Sequence, residues 1–240
     1  MRHVVAQPIR KNEPVGFTVV RVPFFLEPEY SEDESWSESN RARLHRKWGS
    51  EAGFEAQKRR HRLKERGREV GIQHFNLDRR ASSTLASHRL VQWVTREYGI
   101  THAETLYDRL NNTHFVDGRP LNDRTMLIGE AAAAGVDAEA AAAFLQSDEG
   151  REGIRRTQSL LQEMGISSIP TFVLGGQKVV GGAASAETLV HELRVLEALP
   201  DGAPHCVFGE ALGLPEAVLQ QTLDLRDTAA GRPACLPAGR

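Results

Sequence analysis

The sequence predicts an α/β fold in which a long all-helical segment interrupts a small strand-bearing core. Three observations lead there. Phe17 to Val22 (FTVVRV) is a β-branched and aromatic run closed by Pro23, the composition of a strand that stops at a turn. From about Glu38 to Met164 the pattern is helical almost throughout, with breaks at Gly49, Gly71 to Arg80, Gly99, Gly118 to Pro120 and Gly135. After Met164 two short apolar runs flank a glycine pair and one more helix follows.

Taken in order, the opening MRHVVAQPIRKNEPVG holds only a short apolar stretch, which fits neither a signal-peptide core nor a membrane span. His3 to Ala6 has room to pair as a strand but not to supply a helix as well. Glu27 to Glu38 is an acidic, Ser-rich connection in which Ser35 or Ser37 is placed to cap the next helix. Ser83 to Tyr98 is the clearest helix, with Leu85, Leu90, Val91, Val94 and Tyr98 at spacings near three and four. Leu106, Leu110 and Phe115 continue the same logic. Asp137, and Asp148 with Glu149, read as helix starts, because acids there meet the positive dipole end. The alanine runs 131–134 and 140–143 signal high helix propensity and close packing. His88 and His114 read as structural histidines.

Thr171 to Leu174 and Lys178 to Val180 form a predicted hairpin across Gly175 and Gly176, which tolerate the positive φ of a tight turn. Ser185 is the predicted cap of a closing helix whose face is Leu189, Leu193 and Leu196. A core from residues 1–30 and 166–199, a helical insertion at 35–165, and a 200–240 region of linker, short helix near Pro215 to Asp227 and disordered tail complete the expectation.

With 240 residues, 40% of them hydrophobic, and a net charge of -2, the chain has enough apolar material for one domain with a large insertion and no general attraction to polyanions or membranes. The basic run KRRHRLKERGR at Lys58 to Arg68 reads as a solvated helix face paired to nearby acids, so no nucleic-acid partner is expected. Cys206 and Cys235 are too few and too far apart for a disulfide framework or a metal site. His205 beside Cys206 lacks further ligands. The sequence thus points to no metal, no cofactor, no membrane segment and a reducing, cytoplasmic location, while the oligomeric state cannot be read from it.

The segment from Gly165 to Leu196 (GISSIPTFVLGGQKVVGGAASAETLVHELRVL) resembles the C-terminal half of DSBA-like thioredoxin domains of the FrnE-like branch. Relatives of that branch include 2-hydroxychromene-2-carboxylate isomerases and kappa-class glutathione transferases. STLASHRLVQWV at Ser83 to Val94 resembles the family's helix signature, and VVRVPFFLEPE at Val19 to Glu29 its second strand and loop, so the likeness runs over about 17–198. It implies a thioredoxin-like fold with a helical insertion, a cis Ile169–Pro170 bond, and a groove at Ser168, Ile169 and Pro170 that takes a peptide, a thiol or a small molecule.

The activity it implies is thiol-disulfide exchange by a cysteine at a helix N-terminus. No cysteine precedes Cys206, and the first strand and active-site helix are expected to be missing, through real loss or an incomplete start. The implied reading is a family member that is redox-incompetent as written. Two alternatives stand beside it. One is glutathione-dependent isomerase or transferase chemistry, with Ser167 and Ser168 near the ligand and Gly182, Ala183 and Ser185 at an anion contact, although Ala184 and Ser185 replace the Asp-Arg pair of kappa-class relatives. The other is a non-catalytic binding or scaffold protein.

Overall fold

The computed structural model describes residues 1–9, 15–69, 71–199 and 206–223. Its elements run α1 (Arg2–Ala6), β1 (Glu38–Ser39), α2 (Asn40–Trp48), α3 (Glu51–His61), α4 (Leu63–Glu69), β2 (Arg80–Ala81), α5 (Leu85–Tyr98), α6 (Ile100–Phe115) and α7 (Arg124–Ala133). There follow α8 (Ala138–Gln146), α9 (Arg151–Glu163), β3 (Thr171–Leu174), β4 (Lys178–Gly181), α10 (Ala186–Glu197), α11 (Gly209–Leu212) and α12 (Glu216–Leu219). The described residues divide into two compact units, one built from 1–26, 92–101 and 149–223, the other from 27–91 and 102–148.

The first unit gathers around Leu161, Ile166, Phe208, Leu212 and Leu214, with Val20, Val22, Phe24, Val173 and Cys206 packed against them. Val20, Val22 and Phe24 alternate, the signature of an extended chain with one face on a core. The expected strand Phe17 to Val22 is nonetheless in no ladder. Side chains take the place of a neighbouring strand: Gln92 Nε2 donates to the Arg21 carbonyl at 2.6 Å and Gln158 Nε2 to the Pro23 carbonyl at 2.9 Å. The Leu223 N–H donates to the Phe17 carbonyl at 2.8 Å. Backbone carbonyls must find donors when removed from water, and two helical glutamines supply them here.

His3 to Ala6, expected to pair as a strand, is part of the short helix α1, which buries Val4 and packs on α10. The hairpin β3–β4 is antiparallel, with Phe172 opposite Val180 and Val173 opposite Val179. Gly175 and Gly176 carry φ of 58° and 73° at its turn. A Cβ on Gly175 would lie 2.9 Å from Leu196 Cδ2, so both the turn and the close approach of α10 require glycine. The helix expected over Pro215 to Asp227 is the single turn α12. Residues 206–214, expected only as connection, place Phe208, Leu212 and Leu214 in the core. The expected linker Pro200 to Cys206, except Cys206, and the whole of the expected tail Thr228 to Arg240 lie outside the described residues.

In the second unit Leu106, Leu110, Leu127, Ala131, Phe144 and Leu145 are buried, and α7 packs on α8. Asp123 caps α7 and Asp137 caps α8 through Met126 N–H and Ala140 N–H at 3.0 and 2.7 Å. Ser39, not Ser35 or Ser37, caps α2. Ser35 is bound to Asp33, and the Ser37 hydroxyl accepts from Arg80 Nε at 3.0 Å. Glu38 pairs with Ala81 and Ser39 with Arg80 in a two-residue ladder. Three acids of 27–38 pair with arginines outside the basic run. Glu27 binds Arg43 at 2.5 Å, Glu38 binds Arg46 at 2.7 Å and Glu34 binds Arg124 at 3.2 Å. At the start of α9 the cap is Gly150, with φ 81°, and Glu149 pairs with Arg96 instead of opening the helix.

Candidate functional site

The site begins where α9 stops. Gly165, φ 68°, follows the last helical turn. Gly165 N–H donates to the Gln162 carbonyl at 3.0 Å, and Ile166 N–H to the Leu161 carbonyl at 2.9 Å. This pairing of hydrogen bonds is a Schellman end, and its usual apolar contact is present as Ile166 and Leu161 in the same cluster. Ile166 is thereby fixed in the core while Ser167 to Pro170 emerge to solvent.

The Ile169–Pro170 bond is cis, and Ile169 is 50% exposed. Thr171 Oγ1 donates to the Ser168 carbonyl at 2.7 Å. The Gly182 N–H donates to the Pro170 carbonyl at 2.9 Å, and Ala184 N–H to the Gly182 carbonyl at 2.9 Å. Ser185 Oγ accepts from Thr188 N–H at 3.2 Å and so starts α10. The two groups singled out in the sequence, Ser168, Ile169 and Pro170 on one side and Gly182, Ala183 and Ser185 on the other, are therefore joined into one exposed rim. Ser167, beside it, is exposed as well.

The chemistry on this rim is backbone amide and hydroxyl. The nearest charge in the sequence is Glu187, in the first turn of α10, whose carboxyl is held below the usual carboxylate range by its hydrogen bond with Ser185. Among the described residues β3 has a ladder partner on one side only, and Phe172 and Val179 on the hairpin are 37% and 43% exposed. An edge of that kind can accept an extended chain.

Cys206 is free and half-buried against the apolar cluster. Its carbonyl accepts from Gly209 N–H at 2.9 Å, just ahead of the four-residue α11. Cys235 lies outside the described residues. No group of three or more His, Cys, Asp or Glu among the described residues is placed to hold a metal ion. No helix among them is long and apolar enough to cross a membrane. Gln92 and Gln158, which hold the segment leading into Pro23, escaped the sequence reading, since a glutamine on an amphipathic helix carries no mark of what it binds.

A helix-terminated proline loop leading into a β-hairpin and a closing helix, with a set of helices inserted ahead of it, defines a thioredoxin-like domain with a helical insertion. The sequence matches the DSBA-like thioredoxin domain over residues 1–194, and the chain belongs to that family. Among solved structures, the probable DsbA oxidoreductase of Streptomyces coelicolor is similar. It shares 27% identity at a TM-score of 0.65, with 75% of this chain and 76% of that chain covered. No curated protein matches the sequence.

Proposed function

We propose that this chain is a redox-inactive member of the DSBA-like family, of its FrnE-like branch and working in the cytoplasm, that holds an extended peptide or a small thiol at the proline loop without exchanging disulfides. The observation that carries this is the cysteine inventory, with no residue before Cys206 able to act as the attacking thiol. The family's redox step needs a thiolate at a helix N-terminus and a second cysteine close by to resolve the mixed disulfide. Cys206 stands before a four-residue helix whose cap is Phe208, and the other cysteine is far along the chain.

What the chain keeps is the exposed rim from Ser168 to Pro170 and the half-free strand β3 behind it. Backbone hydrogen bonds from β3 give affinity for an extended ligand regardless of its sequence, and Ile169 and Phe172 add apolar contact. Glutathione chemistry is less well served. The N-terminus of α10 already carries the ionised Glu187 and the Ser185 cap, so a ligand carboxylate would meet a like charge there.

The test is an NMR titration of isotope-labelled protein with an unstructured, cysteine-free peptide. The expected result is amide shifts concentrated at Ser168, Ile169, Thr171, Phe172 and Gly182, weakened by Phe172→Ser. Shifts scattered away from β3, or none at saturating peptide, would sink the binding reading.

A further inference from the structure

Among the described residues, the basic run of α3 and α4 keeps one of the ion pairs the sequence suggested for it and leaves most of its cations without one. From Lys58 to Glu69 there are seven Lys and Arg residues against Glu65 and Glu69, a net charge of +5 with histidine neutral, in a chain of net charge -2. Lys58 pairs with Glu55 at 3.1 Å. Among the described residues the other six, Arg59, Arg60, Arg62, Lys64, Arg66 and Arg68, have no ion pair, and all are exposed. Three of the acids of 27–38, Glu27, Glu38 and Glu34, are engaged by Arg43, Arg46 and Arg124.

Arg62, φ 44°, separates the two helices, so the charge lies along two short rods instead of one. Beside α4 a cleft of about 220 Å³ is lined by Lys64, Arg68, Gln73, His74, Phe75 and Asn76 among others. Lys64 and Arg68, one helical turn apart, repel each other unless an anion lies between them.

We propose that α3, α4 and this cleft form a sequence-independent binding surface for the phosphate backbone of double-stranded nucleic acid. Charge complementarity selects the partner. The two rods together rise roughly 18 Å, over which a duplex, with one negative charge per about 1.7 Å of axis, carries about twice the charge needed to balance them. An acidic peptide at about 3.3 Å per residue would need nearly every residue charged. Five of the six unpaired cations are arginine, whose fork binds phosphate oxygens two at a time. The one aromatic residue on these helices, Phe54, is buried, so the helices themselves present no ring to stack on bases and their contact is to backbone.

The experiment is fluorescence anisotropy of a short labelled DNA duplex with the full chain. With about four phosphates engaged, affinity should fall roughly a hundredfold between about 50 mM and about 200 mM salt. The triple variant Arg59→Gln, Arg60→Gln, Arg66→Gln should bind at least about tenfold more weakly at the lower salt with an unchanged thermal midpoint. The pair Lys64→Gln, Arg68→Gln, confined to α4, gives an independent reading should the triple variant fold poorly. Absence of binding at the lower salt, affinity indifferent to salt, variants that bind like the parent, or displacement of the duplex by polyglutamate at equal charge would each overturn the proposal.

Discussion

His114 and Arg79 fix each other's protonation. Arg79 Nε donates to His114 Nε2 at 3.2 Å, so the ring proton sits on Nδ1, which donates to the Arg119 carbonyl at 2.9 Å. The guanidinium lies over the rings of Phe75 and Phe115, at 5.4 and 4.9 Å from their centroids. Burial pushes His114 down to about 4, with the charge of Arg79 adding to it, and burial lowers Arg79 to about 10. The folded value for His114 is below the unfolded one near 6.5, so the neutral ring contributes stability that is present above pH 6.5 and is lost as pH falls toward 4. The size is on the order of 3 kcal/mol at most. Thermal midpoints of the parent should therefore fall more steeply between about pH 7 and pH 5 than those of His114→Gln. Equal slopes would show that His114 titrates as it does in the unfolded chain. In the sequence His114 was readable as structural, but its partner was not, because Arg79 sits in an irregular stretch with no periodicity to aim it.

At the scale of elements, the parts that local chemistry decides were legible. Gly175 and Gly176 announce the hairpin turn, and Ser185 announces α10, because backbone sign and cap donors are set within four residues. Gly175→Val should destabilise by about 1–3 kcal/mol, read as a lower midpoint in denaturant, since the new Cβ would meet Leu196 where φ is already positive. The pairing of distant segments was not legible. Phe17 to Val22 has strand composition, yet its Arg21 carbonyl is met by Gln92 and the Pro23 carbonyl that follows by Gln158, partners more than seventy positions away. Gln158→Leu removes the donor to Pro23 and should cost about 1–3 kcal/mol. An unchanged unfolding free energy would mean that water serves that carbonyl as well. The ladder of Glu38 and Ser39 with Arg80 and Ala81 was invisible for the opposite reason, because two residues of low β-propensity per strand carry no signal.

At the scale of the whole molecule, family membership rests on a match over residues 1–194, wider than the stretch from which the sequence suggested it. The hairpin, the proline loop and the helix signature were readable because each is a contiguous string. The rim that joins Pro170 to Gly182 was not, since it depends on one backbone hydrogen bond between segments brought together by folding. The sequence reads the basic run as neutralised by acids near it in the chain; Lys58 does pair with Glu55, while Glu27, Glu34 and Glu38 pair with Arg43, Arg124 and Arg46.

The proposal that this chain performs no thiol-disulfide exchange has a direct test. The direct measurement is insulin-reduction turnover by the full chain, run beside Cys206→Ser and Cys235→Ser. The rate should match the uncatalysed dithiol background in all three. Turnover above that background, abolished by either serine substitution, would contradict the account and return the chain to the catalytic members of its family.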